Sequence, residues 1–312
     1  MRTAIPTDIE LARCGLVTHR NYSRLGYTRL IRGVYGRPPE GNAPRSDDLD
    51  RWERQRADFL ARTHATMAAY ADKGAVLFGA TALQVLGVAL PETLEDWDRC
   101  HIMVPPGCPR PTRTGVVFHL SPQPLTVWRK VDGLPVLHPV DHWIQLRGAT
   151  ADELVEVGDG LMRRRNPLLT PAGLTARLEA CAGRPGSKKV RSVLKLLAPG
   201  TDSLYETRTR LALVHAGLPQ PAVNHKVFSH EAGFHYPVDM AYIPEKIGVE
   251  YDGKDHVNDR EQMEWDANRR RHLQDEGWFI ITVTASHLRN PLWTRSAEAA
   301  LILRRAALTP DS

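Results

Sequence analysis

Residues 234–253 read Phe234-His-Tyr-Pro-Val-Asp239-Met-Ala-Tyr-Ile-Pro-Glu-Lys-Ile-Gly-Val-Glu250-Tyr-Asp252-Gly253. Two runs rich in β-branched and aromatic residues flank Ile243-Pro-Glu-Lys246, the pattern of two antiparallel strands joined by a tight turn. Each run carries a carboxylate among apolar neighbours, Asp239 in the first and Glu250 in the second. Such a group is expensive to bury without a partner, and two on adjacent strands ask for a shared explanation. The plain alternative is an edge strand with Glu250 in solvent. Side chains two apart share one face of a strand, so Glu250 and Asp252 fall on one side. Lys254 and His256 join them if the chain stays extended through Gly253.

The flanks fit this pair of strands into a larger unit. Ser203-Leu-Tyr-Glu206 reads as a capping box starting a helix through His215, which Gly217 and Pro219 end. Val223–Phe228 reads as a strand before the quoted pair. Asn258 or Asp259 caps a long helix to about Glu276, with Gly277 in the stop position. Trp278–Val283 is a fourth, buried strand, and Ser286 opens a terminal helical segment interrupted at Pro291. The order is α-β-β-β-α-β, an α/β unit over residues 200–312.

Carboxylates gathered on adjacent strands suit phosphodiester hydrolysis. Their oxygens hold Mg²⁺ or Mn²⁺, and the metal activates water and stabilises the charge of the phosphorane. A nearby lysine or histidine orients the water, takes a proton or neutralises the transition state. Asp239, Glu250 and Asp252 are therefore the candidate metal ligands, and Lys254 and His256 the candidate acid–base or charge-stabilising groups.

Several strings together carry a resemblance: Pro237-Val-Asp239, Val-Glu250-Tyr-Asp252-Gly253-Lys-Asp-His256, Asp266-Ala-Asn-Arg269, Leu273 and Gly277-Trp278. With the element order, they resemble the PD-(D/E)XK nuclease superfamily, in the branch similar to very-short-patch-repair endonucleases, over about Ser203 to Leu303. The resemblance implies a restriction-endonuclease-like core in which Asp239 and Glu250 bind metal and a helical Glu206 assists. Against that role, Glu206 is fully explained as the capping partner of Ser203. The superfamily's lysine commonly stands two residues after the glutamate, where this chain has Asp252; Lys254 lies two further on, and His256 matches the histidine of the repair branch. Asp266 and Arg269, at i and i+3, read as a supporting ion pair.

Upstream, the chain reads as two more regions, residues 1–45 and 46–199, separated by the Gly36–Asp48 stretch of Gly, Pro and polar residues. In the first, Thr7–Ala12 and a segment from Thr18 to Gly26 read as short helices, and Tyr27–Tyr35 as a basic two-stranded tip. These are the parts of a winged helix, with Arg29 and Arg32 set for phosphate; a small helical cap with a solvated basic loop is the alternative. The second region reads as α+β: helices over Trp52–Asp72 and Gly74–Gly87, strands at 101–104, 115–120 and 134–138, then helices near 140–146, 152–163 and 170–181. Arg29-Leu-Ile-Arg-Gly-Val-Tyr35, Leu77–Leu83 and the Gly133-Leu-Pro segment resemble AbiEi-type antitoxin regulators, which implies a DNA-locating or regulatory half and a protein partner through the middle region.

The chain has 312 residues and a formal net charge of +5, which suits a polyanionic partner without requiring one. Cys14, Cys100, Cys108 and Cys181 include no CxxC pair, so a structural zinc site is not expected and the thiols read as reduced in the cytoplasm. No run of about 18 apolar residues suggests a membrane span. The expectation is a Mg²⁺- or Mn²⁺-dependent endonuclease acting on DNA, duplex before single-stranded, with Arg269, Arg270 and Arg271 as further phosphate contacts. Two alternatives stand beside it: a non-enzymatic, antitoxin-like DNA-binding regulator whose nuclease fold is degenerate, and a nuclease directed at RNA.

Overall fold

The two carboxylate-bearing runs are strands β10 (Phe234–Tyr242) and β11 (Ile247–Tyr251), antiparallel and in register Met240↔Val249 and Tyr242↔Ile247. The structure is a computed structural model that describes residues 10–13, 28–31, 34–37, 51–253 and 260–308. It is a mixed α/β protein with two mixed sheets. The chain gathers into two compact units, one of residues 1–149 with 181–187, the other of 150–180 with 188–312.

In the first unit, β1 (Glu10–Arg13), β2 (Thr28–Ile31) and β3 (Val34–Arg37) form an antiparallel sheet in the order β1-β3-β2. The expected two-stranded tip is therefore present. The helix expected over Thr7–Ala12 is not, because Glu10–Ala12 belong to β1: the ladder to β3 satisfies their backbone groups and outweighs local preference. The helix expected from Thr18 lies outside the described residues. Helix α1 (Arg51–Tyr70) follows. Instead of one helix over Gly74–Gly87, Val76–Leu77 form strand β4, and α2 (Gly79–Val85) starts at Gly79, which turns at φ +55°. The apolar pair at β4 occupies the centre of a sheet of order β6-β5-β4-β8-β7, with β5 Cys100–Val104, β6 Val116–Leu120, β7 Arg129–Val131 and β8 Leu134–Val136. Helix α3 (Pro139–Trp143) is buried throughout.

One glycine in this unit has no tolerable substitute. Gly186 sits at φ +94°, and a Cβ built on it would stand 1.9 Å from the Ile144 carbonyl oxygen, a backbone atom that cannot rotate away. Gly186→Ala is expected to lower unfolding free energy by at least ~2 kcal/mol, from the left-handed strain plus the clash. Gly183→Ala, at φ +82° but with nothing within 4 Å, should cost about 1 kcal/mol. Urea melts of the two variants check this; equal midpoints would remove the clash as the cause.

The second unit contains α4 (Ala151–Leu161), α5 (Pro171–Ala180), most of α6 (Ser187–Ser192) and α7 (Leu204–His215). Next come β9 (Ala222–Ser229), β10 and β11, then α8 (Arg260–Asp275), β12 (Phe279–Val283), α9 (Ala285–Arg289) and α10 (Thr294–Leu308). From α7 to β12 the order is α-β-β-β-α-β, as the sequence reads. The sheet order is β12-β11-β10-β9, with β11 and β12 parallel and the other neighbours antiparallel. A parallel pair needs a crossover, and α8 supplies it. One apolar cluster joins Met240, Tyr242, Ile247 and Val249 to Leu213 of α7 and to Ala297 and Leu301 of α10. A second joins Val227, Tyr236 and Val238 to Leu273 of α8 and to Trp278. The sheet is thus covered by helices on both sides.

Buried charges fix α4 against α7. Asp159 and Arg210 form an ion pair with no exposure on either side chain, at 2.8 Å. Asp159 also accepts from the Ala198 N–H at 2.8 Å and the Thr207 hydroxyl at 3.1 Å. Glu156 takes both an Nε and an Nη2 bond from Arg208, and Asp152 meets His215 at the exposed end. These pairs pass across the Pro199-Gly200 punctuation.

Candidate active site

Three elements bring acidic side chains together in the second unit. The first turn of α7 places Glu206, the middle of β10 places Asp239, and the end of β11 places Glu250. Ser203 caps α7 by accepting from the Glu206 N–H at 3.1 Å. The Glu206 carboxylate returns to the Asp202 N–H at 2.9 Å and to the Ser203 hydroxyl at 3.1 Å. The capping role expected of it is real, with its return bond one residue earlier than in the standard box. Burial nonetheless holds the Glu206 carboxyl above the ordinary glutamate value, and the cap's hydrogen bonds work against that rise.

Asp239 is half-buried and accepts from the Tyr251 N–H at 3.0 Å, which ties its carboxylate to the neighbouring strand. Its pKa is pushed up to about 7, first by burial and then by the charges of Glu206 and Glu250; the Tyr251 hydrogen bond and Arg269 oppose the rise. Glu250 takes two hydrogen bonds from the Arg269 guanidinium of α8, one of them at 2.9 Å, and Arg269 also donates to the Pro237 carbonyl at 2.6 Å. Arg269 is thus paired with Glu250 on the sheet, and Asp266, exposed on the same helix, adds its charge to the field around the guanidinium.

Beside these groups lies a cleft of about 650 Å³, lined by the α7 cap Ser203 with Tyr205 and Glu206 of its first turn, Tyr251 at the end of β11 with Asp252 and Gly253 beyond it, and Thr284–Ser286 with Arg289 after β12. It opens at the carboxyl ends of the parallel strands β11 and β12, where α/β sheets commonly bind their ligands. Asp252 is exposed in this cleft, its N–H donating to the Val283 carbonyl at 2.8 Å. Tyr205 and Tyr251 stack with ring centroids 4.8 Å apart and an interplanar angle of 6°. The sequence pattern does not single out this stack, Arg289, or the hydroxyls of Thr284 and Ser286, because each comes from a different element. Weak signals exist: Tyr205 and Tyr251 each adjoin a candidate carboxylate.

Lys254 and His256 lie outside the described residues, as does Arg32; Arg29 is on β2. Arg270 is exposed, and Arg271 is held by Glu231 at 2.7 Å. Among the described residues, no three His, Cys, Asp or Glu side chains converge closely enough to hold a metal ion. The donor chemistry still fits a hard divalent cation. Asp239 is a carboxyl raised first by burial and then by two neighbouring carboxylates, and a cation there would relieve the repulsion. Among the described residues no helix is long and apolar enough to cross a membrane.

No known family profile matches the chain. It is 27% identical over 126 residues to two uncharacterized Mycobacterium tuberculosis proteins, MT2308 of strain CDC 1551 / Oshkosh and Rv2248 of strain ATCC 25618 / H37Rv. Each match takes in 40% of this chain and 46% of the relative, so the chain spans about half the length of the curated relatives it matches. Among solved structures, the crystal structure of the RV2827C protein of Mycobacterium tuberculosis aligns with 69% of this chain and 77% of its own, at 17% identity and a TM-score of 0.37.

Proposed function

We propose that the second unit is a metal-dependent endonuclease of the restriction-endonuclease type, hydrolysing phosphodiester bonds in DNA. The observation that carries this reading is Asp239: a carboxyl pinned by the Tyr251 N–H and driven up to about 7 by burial and then by the charges of Glu206 and Glu250, beside a cleft at the ends of parallel strands. A structural carboxylate is normally given a cation or several donors. This one is set against two like charges, the arrangement expected where a site is built for something else to bind. Asp239 and Glu250, with Asp252 as a third carboxylate, would hold Mg²⁺ or Mn²⁺. The bound cation would supply Lewis-acid stabilisation and an activated water. The chain's own part is to fix the acidic oxygens: Tyr251 N–H orients Asp239, and the α7 cap orients Glu206. Lys254 and His256 remain the proposed acid–base groups, and Arg29, Arg32 and Arg270 the proposed phosphate contacts.

A second reading is a DNA-binding regulator with a degenerate nuclease fold, aided by a protein partner at the middle region. One observation favours it: Glu250 is already matched by Arg269. Supercoiled plasmid incubated with the full chain and Mg²⁺, Mn²⁺ or EDTA separates the two. Metal-dependent nicking or linearisation supports the nuclease. Intact plasmid, with single strands, mismatched duplex and RNA also intact, supports the regulator.

A further inference from the structure

One guanidinium occupies both oxygens of Glu250. Arg269 Nη1 donates to Oε2 at 2.9 Å, while Nη2 donates to Oε1 and to the Pro237 carbonyl. Both side chains of the pair are only 16% exposed. A forked contact of this kind is among the strongest hydrogen-bonded pairings in proteins. It joins α8 to β10 and β11 at the one carboxylate of the three whose charge is neutralised outright. Asp239 and Glu206 are held by backbone N–H groups and a hydroxyl, with no comparable cation among the described residues. The described acidic groups do not converge on a common point, and Glu250 is turned onto Arg269.

We infer that Arg269 is a built-in counter-cation at Glu250, and that a divalent ion can bind this site only when the guanidinium gives up at least one Glu250 oxygen. The inference rests on the metal-dependent reading proposed above. It makes Arg269 a positioning residue that sets metal affinity. A guanidinium freed from one carboxylate oxygen presents paired N–H donors that match a phosphate. A nucleic-acid phosphate taken up by the freed guanidinium and a divalent ion at Glu250 therefore favour the same rearrangement, and each should raise the affinity for the other.

Mn²⁺ titration calorimetry on the full-length wild type, Arg269→Gln and Arg269→Lys tests this, with metal-free and Mn²⁺-bound melting temperatures measured alongside. Arg305→Gln, which removes an arginine–carboxylate pair with Glu245 elsewhere in the unit, is the control. Removing the competing fork should tighten Mn²⁺ binding about tenfold or more, the equivalent of one charge-assisted hydrogen bond. Arg269→Lys, which cannot fork, should fall between wild type and Arg269→Gln, and it decides the matter if the glutamine variant does not fold. The metal-free melting temperature of Arg269→Gln should drop while its gain on adding Mn²⁺ exceeds that of wild type. If wild type binds Mn²⁺ and the folded variants bind it equally or more weakly, Arg269 only fastens α8 and the inference is overturned. If wild type and variants all fail to bind, the metal-dependent reading falls and takes this inference with it.

Discussion

Asp159→Ala is expected to lower the unfolding free energy by ~3–5 kcal/mol, the usual penalty for leaving one member of a fully buried ion pair alone. Its partner Arg210 has no exposure, and among the described residues its Nε and Nη1 have no hydrogen-bond partner and Asp159 is its one ionic contact. The substitution also orphans the Ala198 N–H and leaves the Thr207 hydroxyl with only its longer bond to the Thr201 hydroxyl, at 3.4 Å. Burial raises the Asp159 pKa, and Arg210 is the first influence that offsets this, so the pair is coupled rather than merely adjacent. Asp152→Ala should lose under ~1 kcal/mol, since its contact with His215 is exposed and screened. The double variant Asp159→Ala with Arg210→Met should recover much of the loss, because no buried charge is then left unpaired. Urea denaturation measures all three. A single-variant loss near that of Asp152→Ala would mean that α4 is not held to α7 by this pair.

Asp239→Asn should produce the opposite pairing of effects, a loss of activity with a gain in stability. On the proposed metal-dependent mechanism, removing one ligand carboxylate forfeits several kcal/mol of transition-state stabilisation, so plasmid nicking should fall by roughly 10³-fold, and Glu250→Ala should do the same. Asparagine keeps an oxygen for the Tyr251 N–H but removes the charge repelled by Glu206 and Glu250. The folded pKa of Asp239, about 7, lies above the ordinary aspartate value. The ionised carboxyl therefore costs stability, and that cost grows as pH rises from the ordinary value to about 7 and is complete above it. At pH 8 and without metal, Asp239→Asn should melt several degrees above wild type, and the difference should shrink toward pH 5. Nicking that survives the substitution would sink the proposed site; a lower melting temperature at pH 8 would show that Asp239 supports the fold instead.

Much of this unit is legible in the amino-acid sequence. The Ser203 cap, the glycine stops at 217 and 277 and the two carboxylate-bearing strands follow from short-range pattern and turn chemistry. Strand pairing then makes Asp239 and Glu250 neighbours. What the residues do not disclose are pairings set by distant packing. Arg269 reads as a helix-surface residue beside Asp266, yet its guanidinium meets Glu250, 19 positions earlier. Helix spacing favours the local partner, but only the depth of Glu250 against α8 decides between them. The buried Asp159–Arg210 contact spans 51 positions and leaves no periodic trace. Strand β7 escapes the sequence pattern for another reason. Arg129-Lys-Val131 is too short and too polar to register as a strand, although the Asp132-Gly133 turn behind it, with φ of 48° and 78°, is a hairpin signal open to reading.

The parallel pairing of β11 with β12 has a consequence for how the site comes into being. Ile247 meets Phe279 only after the chain has travelled out along α8 and returned. Contacts of such separation form late, because loop closure must precede any gain from them. Until β12 docks, the strand carrying Glu250 has one open edge, exposed to pairing with whatever chain is near. The proposed metal centre and the vulnerable edge thus share a clock: the step that completes the cleft is the same step that closes the sheet against aggregation.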